Sequence, residues 1–185
     1  MLRKIEFCAN HARRIKRFNS LSFEPGANLL IGPNGTGKST IINAIAECGH
    51  CKRTEEGETD YIAFESELMN PRHQSGPAGN YDNMVLRSRA NFSSHGEILQ
   101  DLFKTLRIQT STCLLLDEPE SGQDFDHILI LRDSIHKAAD IGAQIICSTH
   151  HILFWERTNT VELEQGYQKR VTNEFCRIKC SDGDI

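Results

Sequence analysis

Apolar positions along the chain follow two rhythms. Near the start, Ile5 and Phe7, and then Leu21 and Phe23, alternate with polar neighbours. That period of two predicts antiparallel strands or a hairpin over Leu2–Phe7 and Arg14–Phe23. Ala27–Ile31, Cys113–Leu116 and Ile145–Cys147 are short apolar runs of the kind a buried strand needs, and Tyr61–Phe64 is a fourth candidate strand. Between them the rhythm changes to that of a helix. Ile41, Ile42 and Ile45 share one face of Lys38–Cys48, and Ile98, Leu99, Leu102 and Phe103 form a stripe on Gly96–Leu106. Phe125–Ala139 reads as a helix closed by Gly142. Asn70–Asn83, rich in Pro, Gly and Asn, reads as a loop. Val161–Leu163 and Val171–Lys179 read as closing strands. Buried strands that alternate with helices predict an α/β fold: a mainly parallel sheet flanked by helices, with the opening strands as an antiparallel β subdomain.

Composition narrows the classes. The chain has 185 residues, which suits one domain over 1–185. Its net charge of -4 gives no overall positive field to recruit nucleic acid or an anionic membrane. Two local basic clusters, Arg13, Arg14, Lys16 and Arg17, and Lys169 with Arg170, read as solvated strand faces. No run of about 18 apolar residues is present, so membrane insertion is not expected. The opening residues lack the apolar core of a signal peptide. Seven cysteines without such a signal read as reduced thiols of a cytoplasmic protein. Cys48-Gly49-His50-Cys51 has the C-x-x-C form, with Gly49 placed like a helix C-cap. At that end the helix dipole opposes a thiolate. A metal there needs two more ligands, and Cys176 and Cys180 are distant in sequence.

Directly after Leu29-Leu30-Ile31 comes GPNGTGKST, residues 32–40. Gly32, Gly37, Lys38 and Ser39 fit G-x-x-x-x-G-K-S/T. A buried strand delivers a loop whose backbone N–H groups can turn inward around a phosphate, and the glycines permit the dihedrals and the close approach. The following helix directs its positive end at the same place. The expected nucleotide-binding set is Asn34, Gly35, Thr36, Gly37, Lys38, Ser39 and Thr40. Lys38 reaches the outer phosphates and the Ser39 hydroxyl ligates Mg2+.

Two further strand ends carry chemistry. CLLLDEPE, residues 113–120, is an apolar strand that emits two carboxylates, Asp117 and Glu118. In an open α/β sheet, ligands bind at the carboxyl ends of strands. Asp117 is expected to hold magnesium through water, and Glu118 to polarise the attacking water. IICSTHH, residues 145–151, ends in two hydroxyls and two histidines, and a histidine at that edge can contact a γ-phosphate.

These pieces, in this order, resemble the ABC-type ATPases of the P-loop NTPase class. They are most similar to the small stand-alone predicted ATPases (AAA/ABC-like) of that superfamily. The resemblance spans the opening strands to Leu163. Gly32–Ser39 matches Walker A, Leu114–Glu118 matches Walker B with its catalytic glutamate, Asp124 falls at the D-loop aspartate and His150 at the switch histidine. Ser94-His95-Gly96-Glu97 is similar to the signature motif that transporters write as LSGGQ, and Phe64–Arg72 to a segment after the first long helix. The residues themselves also allow Ser94 to be an N-cap with Glu97 three positions on, a capping box.

The resemblance implies a head-to-tail homodimer in which each ATP lies between one subunit's cradle and the other's Ser94 and Gly96. It assigns Lys38, Glu118 and His150 to catalysis and Ser39 and Asp117 to the metal. Met69–Phe92 has neither the helical subdomain of transporter domains nor the heptads of chromosome-maintenance heads, so a reduced helical subdomain is expected. The Q-loop glutamine has no clear match; Glu65, Ser66, Glu67 and Gln74 are the nearest positions. Gln123 replaces the leucine before the D-loop aspartate, and Phe7 and Phe18 are the candidate adenine platforms. The expected activity is slow ATP hydrolysis coupled to an unidentified partner protein. The alternatives are a nucleotide-gated scaffold with little turnover, a nucleic-acid-processing subunit resting on Arg13–Arg17, and a transporter subunit.

Overall fold

The central feature of the computed structural model, which describes residues 1–15, 17–65 and 108–181, is a five-stranded parallel sheet. In chain order the elements are β1 (Leu2–Glu6), α1 (Ala9–Ile15), β2 (Ser20–Ser22), β3 (Ala27–Ile31), α2 (Lys38–Glu47), β4 (Lys52–Glu55) and β5 (Asp60–Glu65). They continue with β6 (Thr112–Asp117), α3 (Phe125–Asp140), β7 (Gln144–Ser148), a 3-10 turn (Ile152–Phe154), β8 (Asn159–Glu162) and α4 (Tyr167–Ser181). The large sheet has the order β5-β6-β7-β3-β8, and a small antiparallel sheet has the order β2-β1-β4. This is an α/β P-loop NTPase fold.

The apolar runs are continuous because β3, β6 and β7 are interior strands covered on both faces. Alternate side chains enter two cores. Leu29, Ile31, Leu114, Leu116, Ile145 and Cys147 pack with Ile128, Leu131, Ile135 and Ala138 of α3. Leu30, Leu115 and Ile146 pack on the other face with Ile41, Ile42, Ala44 and Ile45 of α2. Helix α3 ends as its glycine predicts. Gly142 has φ +95, and the Ala143 N–H returns to Ala138 O at 3.1 Å, the closure of a Schellman turn.

A buried amide bridges the two sheets. Gln144 Oε1 accepts the Leu2 N–H at 2.8 Å, and its Nε2 donates to Leu2 O at 2.8 Å and to Glu24 O at 3.1 Å. It thereby hydrogen-bonds the Leu2 backbone beyond the end of the β1–β2 pairing, whose register covers Lys4 to Glu6.

Several sequence expectations change. Residues 9–15 form a helix, so Arg13 and Arg14 lie in its last turn rather than on a strand face, while Lys16 lies outside the described residues. Only Ile15 of that helix is buried, which leaves no period to read. Val171–Lys179 belongs to α4, not to a strand. Val171, Phe175 and Ile178 sit at i, i+4 and i+7, a helical spacing that the β-rich composition masked. Strand β4 has no apolar residue and mostly exposed side chains, so backbone pairing with β1 is its main support. Cys48, with extended dihedrals, terminates α2, and Gly49 is not left-handed. The expected loop at Asn70–Asn83, the Gly96–Leu106 helix and the reduced helical subdomain lie outside the described residues.

Replacement Gln144→Leu leaves the Leu2 N–H and C=O unpaired in the interior. It is expected to lower unfolding stability by about 1–3 kcal/mol, measured by urea titration. An unchanged midpoint would contradict the bridging role.

Candidate active site

Strand register gathers the chemistry. Leu30 of β3 lies opposite Ser148 of β7, and Ser148 lies opposite Asp117 of β6. Three adjacent strands thus end at one level, and the loops 32–37, 118–124 and 149–151 leave from the same edge of the sheet. Thr149 N–H donates to Leu30 O at 3.4 Å and continues the pairing past the strand end.

The glycine loop is closed on itself. A Cβ at Gly32 would lie 3.0 Å from Thr36 Oγ1 and 3.2 Å from Leu163 Cβ, so only glycine fits without displacement. Thr36 Oγ1 donates to Pro33 O at 2.8 Å. Gly37 is left-handed, with φ +99, and turns the chain into α2. Among the described residues, no side chain caps this helix. Its first N–H groups therefore keep their capacity to bind an anion, reinforced by the helix dipole.

Lys38 is 5% exposed. Its Nζ donates to Gly32 O at 3.1 Å and Pro33 O at 3.3 Å. Burial pushes its pKa down, and the charges of Glu118, Asp117 and Glu120 partly oppose that shift. Neutral carbonyls alone are weak compensation for a buried ammonium, and the nearby carboxylates make up only part of the deficit. Ser39, Asn34 and Gly35 are exposed at the mouth of the loop, and Thr40 is half-buried.

On the facing strands, Ser148 Oγ donates to Asp117 Oδ1 and fixes that carboxylate. The Glu118 N–H lies 3.1 Å from both the carbonyl and the hydroxyl oxygen of Ser148. Glu118 itself has φ +44, a left-handed conformation that a non-glycine residue adopts at a cost of about 1–3 kcal/mol. That conformation belongs to a carboxylate on which the expected chemistry depends. His150 Nε2 stands 3.3 Å from Glu118 Oε1.

The sequence reading missed two participants. Ser148 was visible only as one hydroxyl of a pair, and its role depends on cross-strand register. Glu120, the third carboxylate of DEPE, accepts the Thr149 hydroxyl at 2.6 Å and the His150 N–H at 2.9 Å on Oε1. Its Oε2 is buried without a hydrogen-bond partner among the described residues. Glu120 thereby ties the 118–120 turn to the histidine segment.

Other expected positions are less engaged. Asp124 is the N-cap of α3: Oδ1 accepts the His127 N–H at 2.9 Å and lies 2.7 Å from His127 Nδ1. The His127 backbone donor holds the Asp124 carboxyl below its ordinary pKa. Gln123 precedes it, half-buried. Glu65, one of the candidate Q-loop positions, ends β5 at the register position beside Asp117. Phe7 and Phe18 pack against the core on the α2 side of the sheet. Ser94, Gly96, Ser66, Glu67 and Gln74 lie outside the described residues.

The donors suit Mg2+ and a polyphosphate. A hydroxyl at Ser39 and a carboxylate at Asp117 are hard oxygen ligands, and an uncapped helix end with a buried ammonium favours anions. A family model described as an AAA domain matches residues 10–69. The matched segment contains the glycine loop and α2, and it supports a nucleotide-binding, ATPase-like P-loop protein. No curated protein matches the chain. Among the described residues, no helix is long and apolar enough to cross a membrane.

The Lys38 pKa, lower folded than unfolded, has a definite linkage sign. Between the lowered value and the ordinary 10.5 the unfolded chain binds more protons, so this group's contribution makes the fold more stable as pH rises through that window. Lys38→Met is expected to remove this rise. In urea titrations of ligand-free protein, the variant should match or exceed wild type at pH 7, with the gap shifting towards wild type near pH 10. A variant much less stable at pH 7 would show that the ammonium supports the fold. Ser148→Ala frees the Asp117 carboxylate and should weaken magnesium-dependent nucleotide binding about 10–100-fold, measured by calorimetry. An equal loss without magnesium would contradict the orienting role.

Proposed function

We propose that this chain is an ABC-type ATPase domain that binds Mg-ATP, hydrolyses it slowly and pairs head to tail with a second copy around two nucleotides. The observation that carries the reading is the meeting of three groups at one sheet edge. These are the uncapped α2 N-terminus with Lys38, the Ser148-held Asp117, and the Glu118 carboxylate directly after β6.

Roles follow from chemistry. Asn34 to Gly37 offer loop amides to the β- and γ-phosphates, joined by Thr40, and Lys38 neutralises charge there. Ser39 and Asp117 would hold magnesium, which supplies charge neutralisation across the phosphate oxygens. Glu118 orients the attacking water, and His150 contacts the γ-phosphate side. Ser94 and Gly96 of the second copy complete the site. Their expected place at a helix start suits a developing negative charge. The head-to-tail pairing rests on the family resemblance of that segment. Dimer closure and opening would be the mechanical output, delivered to a separate partner protein by a population shift.

A second reading, a nucleotide-gated scaffold, is favoured by one contact. The Glu118 carboxylate lies against His150, and a carboxylate so occupied polarises water poorly. Action on nucleic acid has narrower support, in the exposed Arg13, Arg14 and Arg17 at and just beyond the end of α1.

Glu118→Gln is expected to lower ATP turnover by about 100-fold or more while retaining ATP binding. The same variant should shift to a dimer in size-exclusion chromatography with Mg-ATP and return to a monomer without it. Unchanged turnover would reject Glu118 as the water-orienting group, and a persistent monomer would reject unaided pairing. Retained dimerisation with negligible wild-type turnover would establish the scaffold reading.

A further inference from the structure

The C-x-x-C pair at the far end of α2 does not stand alone. Cys8 follows β1, and His11 lies on α1, three residues later. The fold brings these two against Cys48 and Cys51, which connect α2 to β4. The three sulfurs and one imidazole nitrogen all lie within 4.8 Å of one another.

The separations are those of a coordination shell. A tetrahedral zinc with Zn–S of about 2.3 Å and Zn–N of about 2.0 Å sets S···S edges of about 3.8 Å and S···N edges of about 3.5 Å. Here Cys8 Sγ is 4.0 Å from Cys48 Sγ and 3.2 Å from His11 Nδ1, and Cys51 Sγ is 3.5 Å from His11 Nδ1. The spacings C-x-x-H and C-x-x-C place two ligands on each of two chain segments, as closed zinc sites do.

Supporting contacts are also in place. The Cys8 N–H donates to Cys51 Sγ at 3.4 Å. The Arg53 guanidinium donates to Ile45 O at 2.9 Å and Cys48 O at 3.3 Å, holding the turn that carries the pair. Cys51 is buried, and the other three are half-buried. The nearby His50 is exposed and takes no part in the cluster.

We propose that Cys8, His11, Cys48 and Cys51 bind one structural zinc ion. Three thiolates and an imidazole suit Zn2+ and leave no open position for chemistry. The metal fastens the start of α1 to the end of α2. Helix α1 reaches the phosphate loop at its other end, where a Cβ at Gly37 would lie 3.4 Å from Ile15 Cγ1 and 3.5 Å from Ile15 Cα. The zinc thus anchors both helices that support the glycine loop, about 15 Å from it along the ten-residue α2.

The test uses the full chain purified without chelators from zinc-supplemented cells. Elemental analysis should find one zinc per chain. Replacement by Co2+ should give the visible ligand-field bands of a tetrahedral site together with thiolate-to-cobalt charge transfer. Cys8→Ala, Cys48→Ala and Cys51→Ala should lose the metal, while His50→Ala and Cys176→Ala keep it. If the cysteine variants fail to fold, His11→Cys distinguishes the cases: a four-thiolate site should retain zinc and intensify the cobalt charge-transfer band. Chelation of wild-type protein should lower its Tm, and added zinc should restore it. A folded wild type without stoichiometric metal and without a tetrahedral cobalt spectrum would overturn the proposal. So would a Cys48–Cys51 disulfide in protein purified under reducing conditions, or zinc retained by Cys51→Ala. None of these readouts depends on ATP hydrolysis.

Discussion

A buried ammonium organises this end of the molecule. Lys38 lies at the head of α2, donates to two carbonyls of its own loop, and is almost closed to water. Burial disfavours its charge, and nearby carboxylates only partly restore it. Such a group is poorly suited to stabilising a fold and well suited to holding a polyanion. The uncapped helix N-terminus around it has the same preference. Glycine at 32 and 37 allows the loop to close this tightly, since a Cβ at Gly32 would displace its neighbours and Gly37 is left-handed.

The opposite charge arrives through strand register. Asp117 and Ser148 are paired residues on adjacent parallel strands, so the hydroxyl that fixes the carboxylate is delivered by the sheet itself. Beyond it the chain turns sharply at Glu118 in a left-handed conformation, and Glu120 ties that turn to Thr149 and His150. The strain and the cross-links sit together, where a rigid constellation is useful. At the other end of α2, the cysteine–histidine cluster supports the same helix from below. The short α1 links the two, with His11 in the cluster and Ile15 against Gly37.

Much of this was legible in the sequence because interior parallel strands are short unbroken apolar runs, and β3, β6 and β7 are such runs. Each also ends in its chemistry, so the order of motifs could be read directly. What escaped depended on long-range contact. Helix α1 has one buried residue, β4 has no apolar residue, and α4 carries β-prone residues at helical spacing. Cys48 and Cys51 lacked visible partners because Cys8 and His11 are about forty residues away in sequence. Glu120 resembled an ordinary turn residue until its two donors from the neighbouring strand end were in view.

If the α2 N-terminus, Lys38 and the carboxylate edge form one triphosphate site, isothermal titration of the wild-type chain with ATP, with and without magnesium, will reveal it. Saturable binding of one nucleotide per chain is expected, tightened by magnesium and abolished by Lys38→Ala. Absence of binding heat with both ATP and GTP, for protein shown to be folded, would contradict it.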